Sequence, residues 1–168
     1  RKFEESQRVV EAGLAKEPLN GTLNRFALMN NNDMKKFPEA IKYAEVLFTK
    51  VDKDSVKLKD IDYQNYGNAL AGNNQFEEAI AKFNEALALP AEDNTLHADL
   101  YKSISDAYKG MKDYPKAIDS YKQFLEASTS ADATDWAGLG ILQNSYARTL
   151  EGEAKVEALK TADQTYAS

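Results

Sequence analysis

Hydrophobic positions in this chain fall three and four residues apart in short runs, and the runs recur. Residues 63–90, YQNYGNALAGNNQFEEAIAKFNEALALP, show the unit in full. Phe76, Ala79, Ile80, Phe83, Ala86 and Leu87 share one face of a helix. Tyr63, Tyr66, Gly67 and Leu70 make the matching stripe of a preceding helix, and the two meet at Gly72-Asn73-Asn74. Gly67 and Ala79 are small enough to let two helix backbones approach closely, so the pattern predicts that they face each other.

The second helix of this unit has copies elsewhere. Phe3-Glu4-Glu5-Ser6 with Val10 is the first, and Phe37-Pro38-Glu39-Ala40-Ile41 with Ala44 the second. Phe76-Glu77-Glu78-Ala79-Ile80 is the third, and Tyr114-Pro115-Lys116-Ala117-Ile118 with Tyr121 the fourth. A weaker fifth is Glu157-Ala158-Leu159-Lys160 with Ala162 and Tyr166. Taking Ser6, Ala40, Ala79, Ala117 and Ala158 as the small anchors gives spacings of 34, 39, 38 and 41 residues. Pro38 and Pro115 stand in first turns, where a missing amide costs nothing. First helices are expected at about 20–31, 57–71, 95–109 and 133–150. Asn30-Asn31-Asn32-Asp33 reads as a stop, and Gly110 as a helix end. No run alternates between apolar and polar residues, so no strands are predicted.

Bulky residue, Leu-Gly, Tyr, then Ala, Phe, Ala and Pro is the pattern of the tetratricopeptide repeat, and this chain resembles that family. Tyr63, Tyr66-Gly67, Leu70, Ala79, Phe83 and Ala86 fit, with Pro90 one residue away. Asn20 to Asn31 is the poorest copy, with Ala27-Leu28 where Leu-Gly is usual. Trp136 and Leu139-Gly140 stand in the motif positions of the last, elongated pair. The resemblance implies an all-α, right-handed α-solenoid of stacked antiparallel helix pairs. It would be a single solenoid over 1–168, with a half repeat at 1–19 and repeats at about 20–56, 57–94, 95–131 and 132–168. The chain opens at Arg1 inside a second helix, so it is expected to be a fragment of a longer protein.

Composition narrows the function. Hydrophobic residues make up 43% and charged residues 29%, a globular balance, and the net charge of −6 argues against nucleic acid. No apolar run approaches a membrane span. Absence of cysteine excludes disulfides and thiolate metal sites. The compartment stays open, with a lean towards a bacterial periplasm or cell envelope and the cytoplasm as alternative, and the oligomeric state stays open too.

No catalytic constellation emerges, so neither an enzyme nor a cofactor is expected. His97 has no nucleophile or acid to work with, and reads as a surface or capping residue. Asp52 and Asp54 resemble the start of a calcium loop but lack its glycine and closing glutamate. Gly138-Leu139-Gly140 has no strand before it, so the phosphate-loop reading gives way to helix packing. Asn20-Gly21-Thr22 is a glycosylation sequon, meaningful only in a eukaryotic secretory route. Trp136, Tyr63 and Tyr101 share one repeat position and read as core.

What remains is binding. In tetratricopeptide proteins the first helix of each pair lines a concave face that receives protein segments. The resemblance places Arg25, Met29 and Asn32 there, then Gln64, Asn65, Asn68 and Ala71. Asp99, Lys102, Asp106 and Lys109 follow, then Ala137, Ile141 and Asn144. The plainer alternative is a solvated scaffold face. Primary amides donate and accept at once, which suits them to a peptide backbone. The carboxylate clamp of chaperone-binding relatives does not fit. Its positions here hold Arg25, Met29, Asn65, Asp99 and Ser103, and Asp99 would repel a carboxylate. The expected function is a non-catalytic scaffold that binds a polar or mixed-charge protein segment. The alternative is a structural or regulatory region packing on a neighbouring domain of its own protein.

Overall fold

Helices begin here where local chemistry satisfies the first amides. Asn20 Oδ1 accepts from the Leu23 amide at 3.0 Å, and Asp132 accepts from those of Thr134 and Asp135. Pro38 and Pro115 occupy first turns, as the sequence predicts. The computed structural model describes residues 2–90 and 94–167. Arg1, Ser168 and residues 91–93, just before the expected repeat boundary, lie outside them. Among the described residues there are nine helices and no strand. They form two compact units, Arg1–Pro90 and Ala91–Ser168.

The first unit holds α1 (Lys2–Leu14), α2 (Gly21–Asp33), α3 (Phe37–Thr49), α4 (Asp60–Gly72) and α5 (Phe76–Leu87). Short turns make antiparallel pairs of α2 with α3 and of α4 with α5, while α1 packs on α2 and α3 on α4. Leu28, Ala40, Ala44, Leu47, Val51 and Ala69 form one core, with Tyr43, Phe48 and Tyr66 packed on it. Phe83 is fully buried at 1% exposure, which stabilises by roughly 1.5–3 kcal/mol. The Phe48 ring meets those of Tyr63 at 4.8 Å and Tyr66 at 5.1 Å, and the Lys82 ammonium stands 5.5–5.9 Å from all three.

The second unit holds α6 (Asn94–Gly110), α7 (Tyr114–Ala127), α8 (Ala133–Ala147) and α9 (Gly152–Ala167). Helices α6 and α7 pair, α8 and α9 pair, and α7 packs on α8. Ala98, Ala117, Tyr121, Phe124, Leu125, Leu139 and Leu142 form its core.

Three hairpins turn identically, through residues 34–36, 73–75 and 111–113. The middle residue adopts a left-handed backbone: Lys35 at φ 57°, Asn74 at 62° and Lys112 at 63°. The next amide then reaches back five residues, from Lys36 to Asn31 at 2.8 Å, Gln75 to Leu70 at 2.9 Å and Asp113 to Tyr108 at 2.9 Å. These bonds satisfy carbonyls that a helix end leaves open.

Several expectations are corrected. The asparagine run does not stop α2, which continues to Asp33. Asn31 Nδ2 donates to the Ala27 carbonyl within the helix, and Asn30 Nδ2 donates to Ser6 Oγ and Gln7 Oε1. Gly110 does end α6, as expected, but as its last helical residue, and Lys112 makes the left-handed turn. The atoms nearest to Gly67 belong to the Phe83 ring, which leaves no room for a Cβ. Gln7 and Val10 are the buried residues of α1, and Ser6 is exposed. In the last pair Gly140 lies against Tyr166 as Gly67 lies against Phe83, so the small anchor is Ala162, 2% exposed, and not Ala158. Helix α9 accordingly starts at Gly152, two turns before its repeat pattern. Trp136, expected in the core, is 43% exposed.

Candidate functional site

Aligning the first helices on Leu28, Gly67, Ser105 and Gly140 puts Arg25, Gln64, Lys102 and Ala137 at one position, three residues before. The candidate residues separate by what their side chains do.

In the first unit, Arg25 is already engaged. Its Nε donates to Asp62 Oδ1 at 2.6 Å and its Nη2 to Oδ2 at 2.7 Å, a two-pronged pair with a carboxylate that is 1% exposed. Nη2 also donates to the Lys57 carbonyl at 3.1 Å, fastening the loop before α4. Asp62 works twice, since Oδ2 accepts from the Lys59 amide at 3.0 Å and caps α4. Asn32 Nδ2 donates to the Asn65 carbonyl at 2.8 Å, a second tie between α2 and α4. Asn65 Nδ2 donates in turn to the Ile61 carbonyl at 2.8 Å. The Oδ1 of Asn32 is buried without a partner. Met29 is 36% exposed and its neighbour on α2, Phe26, 48%. Gln64 is half-buried and Asn68 exposed. The first unit thus brings together an apolar pair on α2 and amide side chains on α4.

In the second unit, Lys102 repeats the role of Arg25. Its Nζ donates to Asp135 Oδ1 at 2.9 Å and lies 4.5 Å from the centre of the Phe124 ring. Asp135 is the capping carboxylate of α8, accepting from the Asp132 amide at 3.3 Å, as Asp62 is of α4. The hydrogen bond between them raises the Lys102 ammonium above its ordinary pKa and holds the Asp135 carboxyl below the ordinary carboxylate value. Asp99, Asp106 and Lys109 are exposed, Ile141 is 56% exposed, and Ala137 and Asn144 are half-buried.

Asp62 and Asp135 are absent from the sequence-based candidates, yet each organises the face beside it. The local signal is an Asp three residues after a helix-starting residue, which reads as a cap and hides the distant cation. At the next repeat, the positions equivalent to Arg25 and Asp62 hold Gln64 and Leu100, neither of them charged.

The other candidates take plain roles. The Asn20 side chain caps α2 and donates to Glu17 Oε2 at 2.8 Å. Asp52 Oδ1 accepts from the Asp54 amide in an exposed loop. Gly138 and Gly140 lie inside α8, against the Tyr121 hydroxyl and the Tyr166 ring. His97, expected as a surface or capping residue, is half-buried, and its Nε2 is buried without a partner. Among the described residues no group of three or more His, Cys, Asp or Glu side chains could hold a metal ion. Among them, too, no helix is long and apolar enough to cross a membrane.

No family model matches the sequence. No curated protein matches it either. Solved structures do resemble it. A crystal structure of MamA is similar with TM-score 0.70 at 20% identity, over 97% of this chain and 88% of that one. MamA from Desulfovibrio magneticus RS-1, from residue 41 to its end, gives TM-score 0.73 at 14% identity, over 98% and 82%. The C-terminal part of a TPR repeat-containing protein from Cytophaga hutchinsonii gives 0.50 at 16%, over 99% and 75%. At such identities the likeness concerns the fold alone, and the fold of this chain is that of tetratricopeptide-repeat proteins.

Proposed function

We propose that the chain is a non-catalytic interaction scaffold that binds a polar or mixed-charge protein segment on the exposed faces of its first helices. The observation that carries this reading is the face of α2 and α4. Met29 and Phe26 are exposed there, and the amides of Gln64 and Asn68 make no hydrogen bond within the described residues. An apolar contact beside free amides can grip a peptide side chain and its backbone together. Arg25, Asn32 and Lys102, engaged in the protein's own contacts, shape these faces rather than meet a ligand directly.

Met29→Ala combined with Asn68→Ala tests the proposal, because both side chains are exposed and neither belongs to a core. Peptides selected on the wild-type chain from a displayed random library should bind the double variant about tenfold or more weakly, a loss of about 1.4 kcal/mol. Its helical circular dichroism and melting temperature should be unchanged. Equal affinity for both proteins would remove the face from consideration.

The alternative, a helical region that packs on a neighbouring domain, draws on other residues. Phe3 and Val9 on α1 and Val156 and Leu159 on α9 are 47%, 74%, 55% and 36% exposed. These faces suit packing against further helices.

A further inference from the structure

The two units differ in charge. Arg1–Pro90 carries 13 Lys and Arg against 14 Asp and Glu, whereas Ala91–Ser168 carries 8 against 13. On the second unit a cavity of about 180 Å³ opens between α6, the end of α7 and the start of α8. That is below the range of roughly 300–1,000 Å³ usual for small-molecule sites, and suits one side chain. Its walls include Asp99, Lys102, Asp135, Phe124, Ala127 and Ser128.

The charges there do not cancel. Lys102 is held by Asp135 at 2.9 Å, so this pair is neutral within the protein. Asp99 is exposed and makes no ion pair among the described residues. Ala127 is the last residue of α7, whose C-terminal end carries partial negative charge. Helix α8 presents its opposite end, but its amides at Thr134 and Asp135 are taken by the Asp132 carboxylate. A cation entering the cavity therefore meets one unmatched carboxylate and the carbonyl end of a helix.

We infer that this cavity receives a basic side chain, arginine or lysine, of the protein segment bound along α6. The inference rests on the reading of the first helices as binding faces, and gives their partner a sign of charge. Asp99 can accept two parallel N–H bonds from a guanidinium, while the aliphatic stem lies along Ala127 and Ala98. This is the reverse of a carboxylate clamp.

The test uses the full chain and random peptides on display, followed by titration of synthetic copies of the winners. Winners should carry a basic residue, and replacing it by Gln should weaken binding about tenfold or more. Asp99→Asn should weaken the parent peptide equally, should not weaken the Gln peptide further, and Asp99→Glu should retain most of the affinity. Asp99 is exposed, so these variants should melt like the parent. Winners that lose affinity with Met29→Ala and Asn68→Ala but ignore Asp99→Asn would overturn the basic pocket and leave the scaffold reading standing. Acidic winners that tighten on Asp99→Asn would overturn it too, pointing to an anion site at Lys102. Winners indifferent to all three residues, or none at all, would take down the scaffold reading and the pocket with it.

Discussion

The same ion pair is built twice in this chain, under different conditions. In the first unit Arg25 grips Asp62, whose carboxylate is 1% exposed, through two hydrogen bonds, with a third to the Lys57 carbonyl. In the second unit Lys102 touches Asp135 through one, and the side chains are 42% and 21% exposed. Both link a first helix to the capping carboxylate of the next. Burial makes the difference. A carboxylate withdrawn from water depends on its partner, whereas one still in contact with water can exchange its partner for solvent. Equivalent positions in a repeat protein therefore need not carry equal energy.

Removing the carboxylates should give the largest contrast. Asp62→Ala strands the guanidinium of Arg25 and uncaps α4, at a cost of about 3 kcal/mol or more. Asp135→Ala should cost about 1 kcal/mol or less. Urea unfolding followed by circular dichroism reports on both units, and fluorescence of Trp136, the single tryptophan of the sequence, on the second. Equal losses would mean that burial does not separate the two pairs.

Gly67 and Gly140 sharpen the same point through packing. Any side chain at Gly67 meets the ring of Phe83, buried at 1%, and Gly67→Leu should cost about 1–3 kcal/mol. At Gly140 the obstacle is Tyr166, 48% exposed, whose ring can move aside. Gly140→Ala should therefore be close to neutral, since alanine recovers about 1 kcal/mol of helix propensity. Melting temperatures of the two variants decide the matter.

The hairpin turns should behave alike in both units. Lys35→Gly and Lys112→Gly relieve a left-handed backbone that costs most residues about 1 kcal/mol, and each should raise the melting temperature. Asn74→Gly should gain less, because asparagine tolerates this conformation. A lower melting temperature for either lysine variant would mean that the turn is held by side-chain contacts.

The smallest of these effects should come from acid acting on Asp135 in the second unit. The folded Asp135 carboxyl lies below its ordinary pKa, so its contribution is complete above the unfolded value of about 3.9. It is lost as pH falls through the lower folded value. Partial exposure limits it to less than about 1 kcal/mol. An Asp135→Asn variant should flatten this part of the stability profile measured by Trp136 fluorescence.

Much of the fold was legible because each repeat writes its apolar stripe locally. Phe76 to Leu87 and Tyr114 to Tyr121 needed no tertiary information. The phase of α9 was not legible, because Ala154, Ala158 and Ala162 recur every four residues and any could be the anchor; the Tyr166 ring against Gly140 decides it. The asparagine run misled because its turn-forming chemistry is spent elsewhere, on Ser6, Gln7 and Ala27. Of the candidate faces, the sequence located the positions but not their occupation. The partners of Arg25 and Lys102 stand 37 and 33 residues away, beyond any local pattern.

The three identical turns have a consequence for the phase of the helices they join. An α-helix advances about 100° per residue, so each turn works as a gear that meshes two apolar stripes. One residue inserted between Gly72 and Phe76 would swing Phe83 about a quarter of a revolution away from Gly67. The segment from Asp52 to Lys59, which joins one pair to the next, transmits no such rotation because its path is irregular. Length variation can accumulate there, and the spacings of 39 and 38 residues between successive anchors carry their excess over the 34-residue period outside the turns.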